Sequence, residues 1–229
     1  MLFVDRALKL KKHLVISDLH SGIESLLLEK GSNFPKILNK IMIKRLNEVQ
    51  EFTKTNKLII NGDIKHEFNK VKSEILDLKT FFKEIKEHWD EILVIKGNHD
   101  LFIENIVRPF NIPVFKRINI RNKIIITHGD KLYEDFLEKT FIIGNEHPTL
   151  KIRELNFEEA VFLANKKLIV VPSFNPFLKG SNVLNKEFLS PYFDYLREKG
   201  NEKDKEFNVI LSKLENKKLE VEKLGKIKV

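Results

Sequence analysis

Two long stretches of the chain repeat apolar residues every three or four positions, and six short stretches carry them consecutively. The first periodic stretch runs from about Pro35 to Thr55, with Leu38, Ile41, Leu46, Val49 and Phe52 on one face. Pro35 sits near its start, where a helix accepts proline. The second runs from about Ser73 to Trp89, with Ile75, Leu78, Phe82, Ile85 and Trp89 spaced at three and four. Both stripes read as helix faces turned to a core rather than to a partner. The consecutive runs are Leu14-Val15-Ile16, Leu58-Ile59-Ile60, Ile92-Leu93-Val94-Ile95, Ile124-Ile125-Ile126, Phe141-Ile142-Ile143 and Leu168-Ile169-Val170-Val171. Runs without alternation predict strands buried on both faces. Helices separate the first three, so βαβ units and a parallel start are expected. The later runs come with little helix between them, which predicts a second sheet, mixed or antiparallel. The fold class is therefore α/β, a two-sheet β-sandwich flanked by helices. Two prolines make Pro172-Ser173-Phe174-Asn175-Pro176 irregular. Residues 200–205 form a polar loop, and Phe207 to Leu211 and Leu219 to Leu224 read as two closing strands.

Composition narrows the classes. With 229 residues, 42% of them hydrophobic, the chain fills one core, and a single domain over residues 1–229 is expected. No apolar run approaches the roughly 20 residues of a membrane span, and Met1-Leu2-Phe3-Val4-Asp5-Arg6 lacks the apolar stretch of a secretory signal. A cytoplasmic protein without a membrane partner is the expectation. The absence of cysteine excludes disulfides and any cysteine-based metal site, leaving His, Asp, Glu and Asn to hold a metal. A net charge of +8 favours polyanions such as DNA or RNA. Richness in Lys, Ile, Asn and Phe equally fits an AT-rich genome, and abundant Lys and Glu suit a hyperthermophile. Charge alone therefore does not select nucleic acid.

The candidate chemistry lies at the carboxyl ends of five of the strands. Val15-Ile16 leads into Ser17-Asp18-Leu19-His20, and Ile59-Ile60 into Asn61-Gly62-Asp63. Val94-Ile95 leads into Lys96-Gly97-Asn98-His99-Asp100, Ile125-Ile126 into Thr127-His128-Gly129-Asp130, and Ile142-Ile143 into Gly144-Asn145-Glu146-His147. Ligands of open α/β sheets sit beyond the carboxyl ends of the strands, so these side chains would surround one cavity. Singly, each has an ordinary reading: an Asp after a strand as a helix N-cap, Asn-Gly as a turn, a loop His as a solvated residue. In order, at five strand ends, they point to one site. Carboxylate, imidazole and amide oxygen together suit Mn²⁺, Zn²⁺ or Fe, and two ions roughly 3.5–4 Å apart can clamp an in-line phosphoryl displacement.

The ordered set DLH, GD, GNHD, THG and G-x-x-H resembles the calcineurin-like metallophosphoesterase superfamily, covering Asp18 through His147. Within it the chain is most similar to the small archaeal phosphoesterases related to the SbcD nuclease. Asp5-Arg6-Ala7-Leu8, Gly22, Glu24, Gly62-Asp63-Ile64-Lys65-His66, Pro172 to Pro176 and Phe188-Leu189-Ser190-Pro191 carry that narrower likeness. The resemblance implies the four-layer α/β/β/α fold and a dinuclear hydrolase, with Mn²⁺ first and Zn²⁺, Fe or Ni²⁺ as alternatives. It implies that Asp18, His20 and His147 hold one metal, Asn98 and His128 the other, and that Asp63 bridges. A hydroxide between the metals would attack phosphorus. His99 would face the scissile phosphate as a charge stabiliser or proton donor, and Asp100 would orient a ligand or His99.

One position departs from the pattern. Relatives carry Gly-His-x-His where this chain has Gly144-Asn145-Glu146-His147, so Asn145 stands at a second-metal histidine position and a looser second ion is expected. His66 either touches substrate or polarises a neighbour; His13 and His88 are expected at the surface. Ser173, Asn175 and Gly180-Ser181-Asn182 either border the cleft or form a structural loop. SbcD-type nucleases carry a DNA-capping domain and a segment for a coiled-coil ATPase; the sequence ends short of both, and action without that partner is expected. The first function is phosphodiester hydrolysis of nucleic acid. The alternatives are a small-molecule phosphodiesterase or phosphomonoesterase, or a non-catalytic binding module on the same fold.

Overall fold

The computed structural model describes residues 1–229 except Phe34 and Lys179. Strands β1 (Leu2–Val4), β2 (Ala7–Leu10), β3 (His13–Ser17), β4 (Lys57–Asn61), β5 (Glu91–Ile95) and β6 (Val114–Phe115) form one sheet in that order. β3 to β6 are parallel, with α1 (Ile23–Glu29), α2 (Leu38–Thr53), α3 (Lys72–Lys86) and α4 (Ile103–Val107) in the crossovers. Strands β7 (Arg117–Ile120), β8 (Ile124–Thr127) and β9 (Thr140–Ile143) begin the second sheet. A separate hairpin, β10 (Thr149–Ile152) and β11 (Phe157–Ala160), precedes β12 (Phe162–Ala164), β13 (Leu168–Val170), helix α5 (Pro191–Lys199), β14 (Glu206–Glu215) and β15 (Lys218–Lys228). The second sheet runs β15-β14-β12-β13-β9-β8-β7. It is mixed: β13, β9 and β8 are parallel and the remaining pairs antiparallel.

The consecutive apolar runs are what let the layers stack. Side chains alternate across a strand, so Leu14, Ile16, Leu58 and Ile60 pack under α2 and α3 with Leu46, Val49 and Phe82. Their neighbours Val15, Ile59 and Ile95 point the other way and meet Ile126, Ile142 and Ile169 between the sheets. Phe141, Ile143 and Val170 face outward again, against Tyr192, Phe193 and Leu196 of α5. The two-sheet sandwich flanked by helices is thus realised.

Some details differ from the sequence pattern. α2 begins at Leu38, because the Glu24 carboxylate accepts the N–H groups of Ile37 and Leu38 and caps the helix there. Its buried face runs through Met42 and Ile43, with Ile41 half-buried. Phe81 joins Phe82 in the core, and the closing hairpin is longer than its apolar runs. No helix among the described residues is long and apolar enough to cross a membrane.

Candidate metal centre

The parallel strands of both sheets end at one place, where an isolated bridge from Ser17 to Ser173 ties the two sheets together. There the chain adopts conformations that L-residues rarely take. Asp18, His20, Asp63, Asn145 and His147 have φ of 54°, 41°, 44°, 64° and 45°. Backbone strain of this kind persists only where the surroundings enforce it, and they do. Asp18 N donates to Gly62 O (3.2 Å) and His20 N to Asp63 O (2.9 Å). Ser173 Oγ donates to Asp18 O (2.7 Å), and Asn175 Nδ2 to Leu19 O (2.8 Å), so the proline-flanked loop braces the first motif. A side chain at Gly97 would overlap Asp63, and one at Gly144 would overlap Ser17 and Asp18. Only glycine permits these close approaches.

Three triplets each bring one donor atom per residue to within 4.8 Å of one another: Asp18, His20 and His147; His20, Asp63 and His99; and Asp18, Asp63 and His128. Asp63 Oδ2 lies 3.7 Å from His20 Nε2 and 3.8 Å from His99 Nε2, while its Oδ1 lies 3.2 Å from His128 Nε2. Asp18 Oδ1 is 3.3 Å from His147 Nε2 and 3.7 Å from His128 Nδ1. Asn98 Oδ1 completes the cluster, 3.0 Å from His128 Nε2. Both ring nitrogens of His20, and Nδ1 of His128, are buried without a hydrogen-bond partner. Buried polar atoms are normally satisfied. Orphaned imidazoles converging on two buried carboxylates, with an amide oxygen beside them, fit hard or borderline divalent cations.

The electrostatics agree. Burial opposes charge on Asp18 and Asp63, but His147 and His128 outweigh it, holding Asp18 below its ordinary range and Asp63 at about 2. Burial likewise opposes the imidazolium of His128, yet Asp63, Asp18 and Asp100 lift its pKa to about 9. His20 has no comparable compensation; burial drives it down to about 4 despite the two aspartates. Burial and the Asp63 charge push Asp100 up to about 6.

The remaining sequence-predicted residues take distinct places. His99 N donates to Asp63 Oδ1 (3.0 Å), and its Nδ1 lies 2.6 Å from His66 O. Asp100 is fully buried, accepting from Gly97 N (2.9 Å), Ile64 N (2.8 Å) and Lys65 N (3.0 Å); it binds loop to loop. His66 is half-exposed, its ring 5.4 Å from that of His20. Asn145 enters through its backbone, its N–H donating to both oxygens of Asp18 (3.1 Å each). His88 is exposed, and His13 half-buried beside Glu91.

The sequence pattern assigned no role to several supports. Glu74 is buried, accepts from Glu67 N (3.0 Å) and His66 N, and pairs with buried Lys65 at 2.9 Å. Glu146 accepts from Leu189 N (3.1 Å) and Ser190 N, and Ser190 Oγ donates to Gly129 O (2.6 Å). The available signal was position: Lys65 lies two residues after Asp63 and Glu146 directly precedes His147.

A calcineurin-like phosphoesterase family model matches residues 11–210. No curated protein matches the chain. Among solved structures, the nuclease MPE of Pseudomonas putida is 17% identical, with a TM-score of 0.59 over 75% of this chain and 79% of that one. AQ665 of Aquifex aeolicus, a protein of unknown function, is 18% identical, with a TM-score of 0.36 over 62% of this chain and 81% of that one.

Proposed function

The chain belongs to the calcineurin-like phosphoesterase family, and from that membership we propose that it is a two-metal phosphodiesterase acting on nucleic acid. Metal-dependent phosphoester hydrolysis comes with the family. The finer reading rests on Asp63, which turns one carboxylate oxygen toward His20 and His99 and the other toward His128. A carboxylate so placed can bridge two cations and offset their repulsion. Asp18, His20 and His147 would hold the first ion, and Asn98 and His128 the second. The Asn145 amide oxygen would be a weak further ligand, and Mn²⁺ the ion to try first.

Divalent ions held there would supply Lewis-acid charge to the phosphoryl oxygens and acidify water. The protein's own part is positioning and proton transfer. A carbonyl only accepts, so the contact from His66 O fixes the proton of His99 on Nδ1. That leaves Nε2 facing the centre, where an imidazolium Nε2–H can stabilise the phosphoryl charge and pass its proton to the leaving oxygen. Asp100 acts as a positioning residue, locking the His99 segment to the loop after Asp63.

The +8 charge and the structural likeness to a protein named as a nuclease make nucleic acid the first substrate class to try. The test is Mn²⁺-dependent hydrolysis of bis(p-nitrophenyl) phosphate against p-nitrophenyl phosphate, by wild type and Asp63→Ala, with bound metal counted in both. The proposal expects diester cleavage, two ions in the wild type, and loss of both properties in the variant. Activity on the monoester alone would replace it with a phosphomonoesterase. Inactivity on both substrates in excess metal would make the chain a binding module.

A further inference from the structure

Two aromatic side chains stand exposed at the rim of the centre, on the loops after β4 and β5. Phe68 is 48% exposed and Phe102 is 49% exposed. Neither lies in a bland position. The Phe68 ring stacks on His99, centroids 3.9 Å apart and planes 28° from parallel, and His99 Nε2 is 3.8 Å from Asp63. Phe102 has a φ of 68°, a left-handed conformation that is an outlier for a bulky residue. Outliers of this kind cluster at functional sites, and this one carries a half-exposed aromatic ring. The two loops are fixed to each other: Asp100 accepts from Ile64 N and Lys65 N, and His66 O meets the His99 ring. Lys70 Nζ lies 5.9 Å over the Phe102 ring, bringing positive charge to the same rim.

Resting on the phosphodiesterase reading above, we propose that Phe68 is a stacking platform for an unpaired nucleobase of the substrate, with Phe102 and Lys70 extending the same rim. One face of the Phe68 ring is taken by His99, and the exposed remainder is open to a second planar ring. A base stacked there would be within one nucleotide's span of a phosphate at His99 and Asp63. Lys70 is suited to the neighbouring phosphate. A base in a duplex is covered by its own neighbours, so this platform selects single strands, frayed ends or free nucleotides, and stacking makes it tolerant of base identity.

The plain alternative is that Phe68 only covers His99. Binding separates the two without relying on turnover. Titration calorimetry on the Mn²⁺-supplemented protein would compare thymidine 5′-phosphonate, whose C–P bond blocks hydrolysis, with base-free 2-deoxyribose 5-phosphonate. The platform predicts that the base tightens binding at least about fivefold. That advantage falls toward unity in Phe68→Ala and persists in Phe68→Trp. Equal affinity for the two ligands in wild type, including no measurable binding of either, overturns the proposal. So does an advantage that survives Phe68→Ala. The hydrolysis reading fails separately: a base advantage without diester cleavage keeps the platform and sinks the phosphodiesterase, whereas diester cleavage without a base advantage does the reverse.

Discussion

The two sheets contribute unlike halves to the centre. The loops after β3, β4 and β5 bring both carboxylates, Asp18 and Asp63, together with His20, Asn98 and His99. The loops after β8 and β9 bring His128, Asn145 and His147 and no carboxylate donor to the cluster. The supports divide the same way. Behind the first half stand three buried carboxylates, Glu24, Glu74 and Asp100, each accepting backbone N–H groups. Behind the second stands Glu146, holding the segment before α5. Two buried aspartates repel, and burial disfavours both. They remain ionised because the opposite sheet supplies His128 and His147 as positive partners. The negative charge of the metal-free site is thus built on one sheet and balanced from the other, and two of the three donor triplets draw on both sheets.

If the two sheets were interchangeable, removing a donor from either would cost the same. Asp63→Ala removes the carboxylate that stands 3.7 Å from His20 and 3.2 Å from His128. It should lower kcat/KM on bis(p-nitrophenyl) phosphate by at least about a thousandfold, roughly 4 kcal/mol, with both ions lost by metal analysis. His147→Ala should lose less, on the order of 100-fold or about 2.7 kcal/mol, and keep one ion. Equal losses would mean that the sheets share the charge evenly after all.

Stability offers the next break. Lys65 and Glu74 form an ion pair in which both partners are buried. Lys65→Met leaves Glu74 uncompensated and should destabilise by about 3–5 kcal/mol, lowering Tm by roughly 10 °C for a chain of this size. On the second sheet the Lys213–Glu159 pair is about a third exposed on each side, so Lys213→Met should cost about 1 kcal/mol or less. Adding Glu74→Gln to Lys65→Met should recover part of the loss, because the amide oxygen still accepts from Glu67 N. Comparable melting points for Lys65→Met and Lys213→Met would erase the asymmetry of the supports.

Asp100→Asn tests a support within the first half. One oxygen remains an acceptor, while the amide NH₂ confronts the N–H groups of Gly97 or of Ile64 and Lys65. Supports one step behind metal ligands typically matter about 10- to 100-fold, and kcat should fall by about that factor with KM little changed. A lower Tm with unchanged kcat would reduce Asp100 to scaffold.

The donor atoms were legible, but of their supports only Asp100 was given its role, for a physical reason. Asp18, Asp63, Asn98, His128 and His147 each come after a continuous apolar run, so both the strand and the polar residue at its end are local features. Glu24 and Lys65 stood out only through the family likeness, which gave them no role, and Glu74 sits in a stretch that reads as ordinary solvated charge; only tertiary contact buries all three. The same limit hid β1, β2 and β7, which are short and depend on a partner strand for their pattern. It also shortened the closing hairpin, since most of β15 is exposed and polar. Helix α5 did carry its signal, Ser190 and then Pro191 at the first turn, but its nine residues hold too few apolar positions to stand out.

The smallest expected effect concerns Asn145, where the second half of the centre is weakest. An amide oxygen binds a divalent ion less well than imidazole, and the position is already conformationally strained at φ 64°. Asn, Asp and His are the non-glycine residues enriched in that region, so Asn145→His asks the backbone for nothing new. Its N–H can go on donating to Asp18. The substitution should tighten the weaker Mn²⁺ site by about tenfold, roughly 1.4 kcal/mol, and raise the rate severalfold at limiting Mn²⁺ while leaving it unchanged at saturation. Calorimetric titration of the metal-stripped protein reads the first effect and a Mn²⁺ activation curve the second. A gain at saturating Mn²⁺ would place residue 145 in the chemistry instead of the metal site. No change in either would mean that the second sheet contributes only His128 and His147, and the two halves would be more unequal than the present donor set implies.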